Sequence, residues 1–265
     1  MIFENEGTPI SYDDVGTGNA VLFIHGHPFD RTMWAPQVQS IRWKYRAISP
    51  DLRGYGQSSL GSETVNTQES MAEDLVRLLD YLSVERASVV GLSMGGQIAM
   101  EFARAFPNRT AAAIFAATFA QAETPEGVVQ RNKTADRMLA EGITIIGSEM
   151  LSKLISPTSL KRQPHIASTV YQMICATDPV GAAAALRGRA MRRDYRESLT
   201  QIKVPCMIVV GTDDAYSTVD EAQVMHAAIP DSRLELFPNV GHMPNLEDED
   251  RFNRQLHEFL MTVSW

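Results

Sequence analysis

Ser93 sits at the centre of Gly91-Leu92-Ser93-Met94-Gly95, and its surroundings suit a nucleophile. The apolar run Ala87-Ser88-Val89-Val90 ahead of it reads as a buried strand. Gly96 to Phe106 after it carries apolar residues at helical spacing, until Pro107 stops the helix. Strand, G-x-S-x-G, helix is the setting of a nucleophile elbow, a turn so tight that the serine backbone is strained and its neighbours must be small. The hydroxyl is thereby held at the mouth of a sheet, at a helix N-terminus whose dipole favours negative charge. A serine hydroxyl is a poor nucleophile until a base takes its proton. Histidine suits that task because its unperturbed pKa lies near neutrality. A carboxylate on the far ring nitrogen would fix the tautomer and stabilise the imidazolium. The plainer reading of the pentapeptide is a Gly-rich turn with an ordinary serine.

A second constellation, His25-Gly26-His27, could hold zinc as an H-x-H pair. The residues that follow, Pro28-Phe29-Asp30-Arg31, lack the Asp-His continuation of metallo-hydrolases, and no further Cys/His cluster is near. No metal is therefore expected. Neither Gly16-Thr17-Gly18 nor Gly54-Tyr55-Gly56 completes a G-x-G-x-x-G before a helix, and no Walker A sequence is present. No cofactor is implied.

Five segments in fixed order, over nearly the whole chain, resemble the α/β-hydrolase family and within it serine esterases and lactonases, of the carboxylesterase or 3-oxoadipate enol-lactonase type. Besides the Ser93 pentapeptide they are His25-Gly26-His27-Pro28, like the family's H-G-x-P loop; Asp51 to Ser58, like its D-x-R-G-x-G-x-S loop; Gly211-Thr212-Asp213-Asp214, like its acid-bearing G-x-x-D; and Gly241-His242, like its base-bearing G-H. The order Ser, Asp, His is the family's order. The resemblance implies Ser93 as nucleophile, His242 as general base and then acid, and Asp214 as the orienting acid. Asp213 is the rival acid, and the G-x-x-D spacing favours Asp214. Family members often carry proline shortly after the acid, where this chain has Ser217-Thr218-Val219. The resemblance also implies an oxyanion hole made of two backbone N–H groups, those of His27 and Met94. His25, Asp51 and Arg53 read as loop scaffolding, and His165, His226 and His257 as solvated or packing residues.

These residues need a scaffold. Apolar strand patterns recur at 20–24, 45–49, 87–91, 111–117, 205–210 and 233–237, with two short strands near 2–5 and 8–13 ahead of them. Helical patterns lie near 67–82, 94–106, 218–228 and 247–262. The alternation predicts an α/β fold, a mostly parallel eight-stranded sheet flanked by helices. It breaks between 121 and 200, which reads as several helices. In the family a cap occupies this position, so residues 1–120 and 201–265 are expected to form the core and 121–200 a helical cap.

Composition narrows the function further. A net charge of −8 without a basic run argues against nucleic acid, and 44% apolar residues over 265 support a sizeable core. The acidic start lacks the apolar stretch of a secretory signal, and the run Ala111 to Phe119 is too short to span a bilayer. With Cys175 and Cys206 read as reduced packing residues, the chain is expected to be cytoplasmic, with a small-molecule ester or lactone as its partner. Perhydrolase and C–C hydrolase chemistry share the same triad, and a ligand receptor on the same fold is the non-enzymatic alternative. Residues 121–200 hold 11 Lys+Arg and 8 Asp+Glu, a mildly basic lid on an acidic core. Arg189, Arg192, Arg193 and Arg196 are spaced to form one helical stripe, expected to be a solvated face. Met138, Met150, Met173 and Met191 lie in this segment, as gap-filling packing or as an adaptable apolar wall, and the expected substrate is accordingly an uncharged ester held against cap Met, Leu and Ile side chains.

Overall fold

The computed structural model describes all 265 residues. Strands β1 (Ile2–Asn5) and β2 (Thr8–Val15) pair antiparallel around Gly7, which takes a φ of 84°. Six more follow: β3 (Ala20–Ile24), β4 (Arg46–Pro50), β5 (Ala87–Leu92), β6 (Thr110–Ala116), β7 (Cys206–Gly211) and β8 (Arg233–Phe237). One sheet results, in the order β1-β2-β4-β3-β5-β6-β7-β8, and every pairing from β4 to β8 is parallel. The central strands are buried along their whole length, which is why they read as continuous apolar runs rather than alternating ones. Successive side chains still serve opposite faces. Val21 and Phe23 belong to one apolar layer, and Leu22 and Ile24 to the other.

The strand spans expected from the sequence lie within a residue or two of those observed. Helices α2 (Gln68–Tyr81) and α3 (Met94–Ala105) lie where the periodicity placed them. A 3₁₀ turn at Arg31–Trp34 and α1 (Ala35–Ile41) were not foreseen, because seven residues barely show a helical period. Between β6 and β7 the chain forms six helices: α4 (Pro125–Glu141), α5 (Ile143–Leu154), α6 (Pro157–Arg162), α7 (Pro164–Ala176), α8 (Pro179–Ala190) and α9 (Arg196–Leu199). Four of them begin with proline, whose missing N–H costs nothing there, and Thr124, Ser156 and Asp178 cap α4, α6 and α8.

Helix α8 is seated on the core. A Cβ on Gly181 would overlap the Gly54 carbonyl, and one on Gly188 would overlap that of Asn66. Only glycine lets the helix come this close, and Arg189 is carried in with it. Helix α10 (Val219–Ala228) follows β7, with a capping box between Thr218 and Glu221. The C-terminal helix expected over 247–262 is two, α11 (Pro244–Glu247) and α12 (Glu249–Leu260). They break at Asp248, where the Glu247 side chain turns inward to a task described below.

Candidate active site

Ser93 joins β5 to α3 with φ 58° and ψ −115°, a conformation that costs a non-glycine residue on the order of 1–3 kcal/mol. Packing holds it there. Side chains on Gly91 or Gly95 would overlap the Gly95 and Ile24 carbonyls, so neither can be larger. The Ser93 N–H donates to Ala116 O (2.9 Å), and Thr118 Oγ1 donates to Ser93 O (2.8 Å). The Ser93 side chain faces a cavity of about 400 Å³ that His27, Arg189 and His242 also line.

His242 follows β8 and is buried. Its Nδ1 lies 2.9 and 2.8 Å from the two Asp214 oxygens. Asp214 also accepts from the N–H groups of Tyr216 (2.8 Å) and Ser217 (3.1 Å) and from Ser217 Oγ (2.6 Å). Burial raises the Asp214 pKa, but the His242 ring and the Ser217 and Tyr216 donors outweigh it and hold the carboxyl below its ordinary value. Ser217 thus occupies the stretch where proline is common and contributes a donor proline lacks. The rival Asp213 is exposed and receives only the Thr212 hydroxyl (3.2 Å). No hydrogen bond joins Ser93 to His242 here, and such contacts often tighten only with substrate bound.

The His242 loop is clamped. Glu247 is buried and accepts from the N–H groups of Gly241 (3.0 Å), Met243 (3.2 Å) and Ser156 (3.0 Å). The His242 N–H itself donates to Leu154 O at the end of α5 (2.9 Å). The helical segment therefore holds the histidine loop directly. Sequence reasoning missed Glu247, and an acidic residue closing an apolar turn was its only signal.

The His27 backbone N–H makes no hydrogen bond within the protein, and that of Met94, opening α3, has no intrahelical acceptor. His25 is fully buried: Leu52 N–H donates to its Nε2 (2.9 Å) and its Nδ1 is paired with Gly26 O (2.8 Å). Both ring nitrogens are engaged, so neither has a lone pair for a metal, and the scaffolding reading fits. Asp51 accepts from the N–H groups of Arg31 (2.9 Å) and Gln57 (2.8 Å), and Arg53 forks onto Asp74. His165 and His226 are exposed, and His257 bonds Ser40 O (3.0 Å). Both cysteines are free.

The arginine expectation needs correction. Helix α8 ends at Ala190, so the four arginines do not share one helix. Arg193 and Arg196 are solvated, with side chains 45% and 57% exposed, whereas Arg189 and Arg192 are buried. Arg192 stacks on Phe119 (4.8 Å) and pairs with Glu123, which Arg131 also holds (2.5 Å). Arg189 has no carboxylate; its Nε donates to Gln97 Oε1 (3.2 Å) and it lines the cavity. Burial first, then Arg131 and Arg192, push its pKa well below the usual arginine range. The i, i+4 spacing assumed a continuous helix, and the close seating of α8 at Gly188 leaves Arg189 buried at the wall of the cavity that Ser93 also lines. Met138, Ile146, Met150, Leu154 and Leu186 do line the cavity, but Met191 is 70% exposed and Met173 lies elsewhere in the core.

The alpha/beta hydrolase fold family matches residues 19–249 of this chain. The chain belongs to that family. As an alpha/beta hydrolase it is 28% identical over 265 residues to 3-oxoadipate enol-lactonase 1 of Acinetobacter baylyi, covering 99% of this chain and 97% of the relative. A thermophilic esterase from Thermogutta terrifontis, solved with malate bound, superimposes with a TM-score of 0.93 at 36% identity, covering 96% of this chain and 93% of that one. The enol-lactonase from Burkholderia xenovorans LB400 superimposes with a TM-score of 0.91 at 26% identity, covering 98% and 100%. No helix of this hydrolase is long and apolar enough to cross a membrane.

Proposed function

We propose that this chain is a hydrolase that cleaves a carboxylic ester or lactone through an acyl-enzyme formed on Ser93. The observation that carries the reading is the two-oxygen contact between Asp214 and His242 beside a strained serine in one cavity. The esterases and enol-lactonases among its relatives fit it. In the first half-reaction Ser93 Oγ attacks the carbonyl carbon while His242 Nε2 takes the hydroxyl proton. Asp214 holds Nδ1–H and offsets the imidazolium charge. The oxyanion lies between the N–H groups of His27 and Met94, each donor contributing roughly 3–4 kcal/mol. Collapse breaks the C–O bond, and the leaving alcohol receives the proton from His242; in a lactone it stays tethered to the acyl chain. Water, deprotonated by His242, then releases the acid and restores Ser93. The helices of residues 121–200 act as the cap that closes the site.

Arg189 replaces the expectation of an uncharged substrate with that of an anionic one. A buried guanidinium without a carboxylate partner, aimed into the cavity, favours a substrate carboxylate. The malate in the Thermogutta terrifontis esterase is a dicarboxylate and fits the same reading. The test of the chemistry is Ser93→Ala with 4-nitrophenyl butyrate, alongside organophosphate labelling of the parent. Loss of roughly 10⁶-fold in kcat and one label on Ser93 are expected. Near-native turnover by folded Ser93→Ala would refute it.

A further inference from the structure

His27 carries a polar atom that the reaction just described does not use. Its Nε2 is buried, has no hydrogen-bond partner, and belongs to a residue lining the cavity with Ser93 and Arg189. Its Nδ1 lies 2.7 Å from the Tyr55 hydroxyl. Tyr55 is fully buried, and burial pushes its pKa far up, so it remains a phenol with one proton to give. That proton has two acceptors in reach, the imidazole nitrogen and the Met94 thioether at 3.9 Å. A ring nitrogen is much the better acceptor. Burial, then the charges of Arg189 and Arg131, hold the His27 pKa well below its ordinary value, so the ring is neutral. A neutral ring that accepts at Nδ1 carries its one hydrogen on Nε2.

Resting on the acyl-enzyme reading above, we propose that the Nε2–H of His27 is a substrate-binding donor and forms, with the Arg189 guanidinium, a two-sided subsite for a carboxylate. The guanidinium supplies charge, and the imidazole supplies a neutral donor of fixed direction. Tyr55 is a positioning residue that sets the tautomer. The same residue offers its backbone N–H to the oxyanion and its side chain to the carboxylate. The two groups of the substrate are therefore separated by only a few bonds. The substrate class is a short ester or lactone whose acyl part ends in a carboxylate, the half-ester of a small dicarboxylic acid being the simplest case. A carboxylate supplies an acceptor for this N–H that an apolar analogue lacks, which raises the selectivity for the anion.

The experiment compares kcat/KM for 4-nitrophenyl hemisuccinate and 4-nitrophenyl butyrate in the parent, His27→Leu and Tyr55→Phe. The ratio of hemisuccinate to butyrate is expected to fall about tenfold or more in His27→Leu, mostly through KM, as loss of a charge-assisted hydrogen bond predicts. A smaller fall in the same direction is expected in Tyr55→Phe, which lets the tautomers mix. Nitrogen-15 spectra of histidine-labelled parent are expected to show the Nε2–H tautomer at His27, with the signal moving as succinate is added. An unchanged ratio in both variants, or an Nδ1–H tautomer in the parent, would overturn the subsite. If organophosphate labels Ser93 while the ratio stays put, the subsite alone fails; if Ser93 is not labelled, the reaction reading fails first.

Discussion

Replacing Arg189 with methionine separates what this residue does for the substrate from what it costs the fold. Arg131 and Arg192 share the Glu123 carboxylate, while Arg189 has only the Gln97 amide oxygen at 3.2 Å. A carboxylate drawn to it would gain charge-assisted hydrogen bonds of about 1.5–3 kcal/mol, or roughly 10- to 150-fold in binding. The Coulomb energy at 4 Å in an effective dielectric of 20, about 4 kcal/mol, sets the upper bound. Arg189→Met should therefore lower the hemisuccinate-to-butyrate ratio of kcat/KM by one to two orders of magnitude, chiefly through KM. The same change removes a buried charge without a counter-ion, and methionine fills much of the stem's volume. Such replacements are often stabilising by about 1–4 kcal/mol, and a gain of 1–2 in a chain of this size raises Tm by about 2–8 °C. Lost selectivity together with higher Tm, by paired kinetics and calorimetry, is the expected result. An unchanged ratio with a lower Tm would show Arg189 to be a packing residue and refute the argument.

The remaining predictions concern the triad and its supports. Asp214→Asn should lower kcat by something like 10⁴, and Asp213→Asn by far less; the reverse order in steady-state kinetics would reassign the acid. Glu247→Ala leaves three buried N–H groups without their acceptor, so urea titration should show a loss of about 3 kcal/mol or more. Its kcat should fall more than its KM rises, because the loop carrying His242 loosens. Asp214 and Glu123 have folded pKa values held below their unfolded ones, Glu123 by Arg131 and Arg192 against the raising effect of burial. The stability they contribute is fully present above the unfolded values and lost as pH falls through the folded ones. Tm should therefore be flat near neutrality and decline below about pH 4.5. Glu123→Gln should be less stable than the parent at pH 7, with the gap closing as pH falls through that window.

Strong local signals made the core legible. Three of the five motifs follow a fully buried, mainly apolar strand, β3, β5 or β7, which a parallel strand covered on both faces requires, while β4 and β8, ahead of the other two, carry polar residues. The elbow reads as well, because Gly91 and Gly95 are demanded by the backbone itself. What stayed hidden depends on contacts between distant segments. Glu247 acts through Ser156, 91 residues away, and no spacing rule joins them. Helix α1 was missed because its seven residues, about two turns, barely show a period. The arginines were misread because the stripe rule presumes a helix that continues, and α8 stops one residue after Arg189.

The charge of the helical segment 121–200 takes on a different meaning once its pairs are known. A surplus of three positive charges looked like a diffuse basic lid. In the fold most of these cations are spent. Arg137 is held by Glu141 and Glu149, Arg187 by Asp136, Arg196 by Asp194, and Arg193 by Glu69. Surface pairs of this kind contribute little to stability, but they cancel the field that would otherwise draw any anion to any face. Arg189 is the buried cation left without a carboxylate, and the core fixes its place through Gly181 and Gly188. On the proposed reading, selectivity for an anion rests on this one guanidinium and the His27 N–H beside it, with the guanidinium's position set by helix seating rather than by a basic surface. A larger residue at Gly188 would therefore act like Arg189→Met. Gly188→Ala should lift α8 from Asn66 and weaken the preference for hemisuccinate while Arg189 keeps its charge. If the preference survives in folded Gly188→Ala, the seating of α8 is not what aims the arginine.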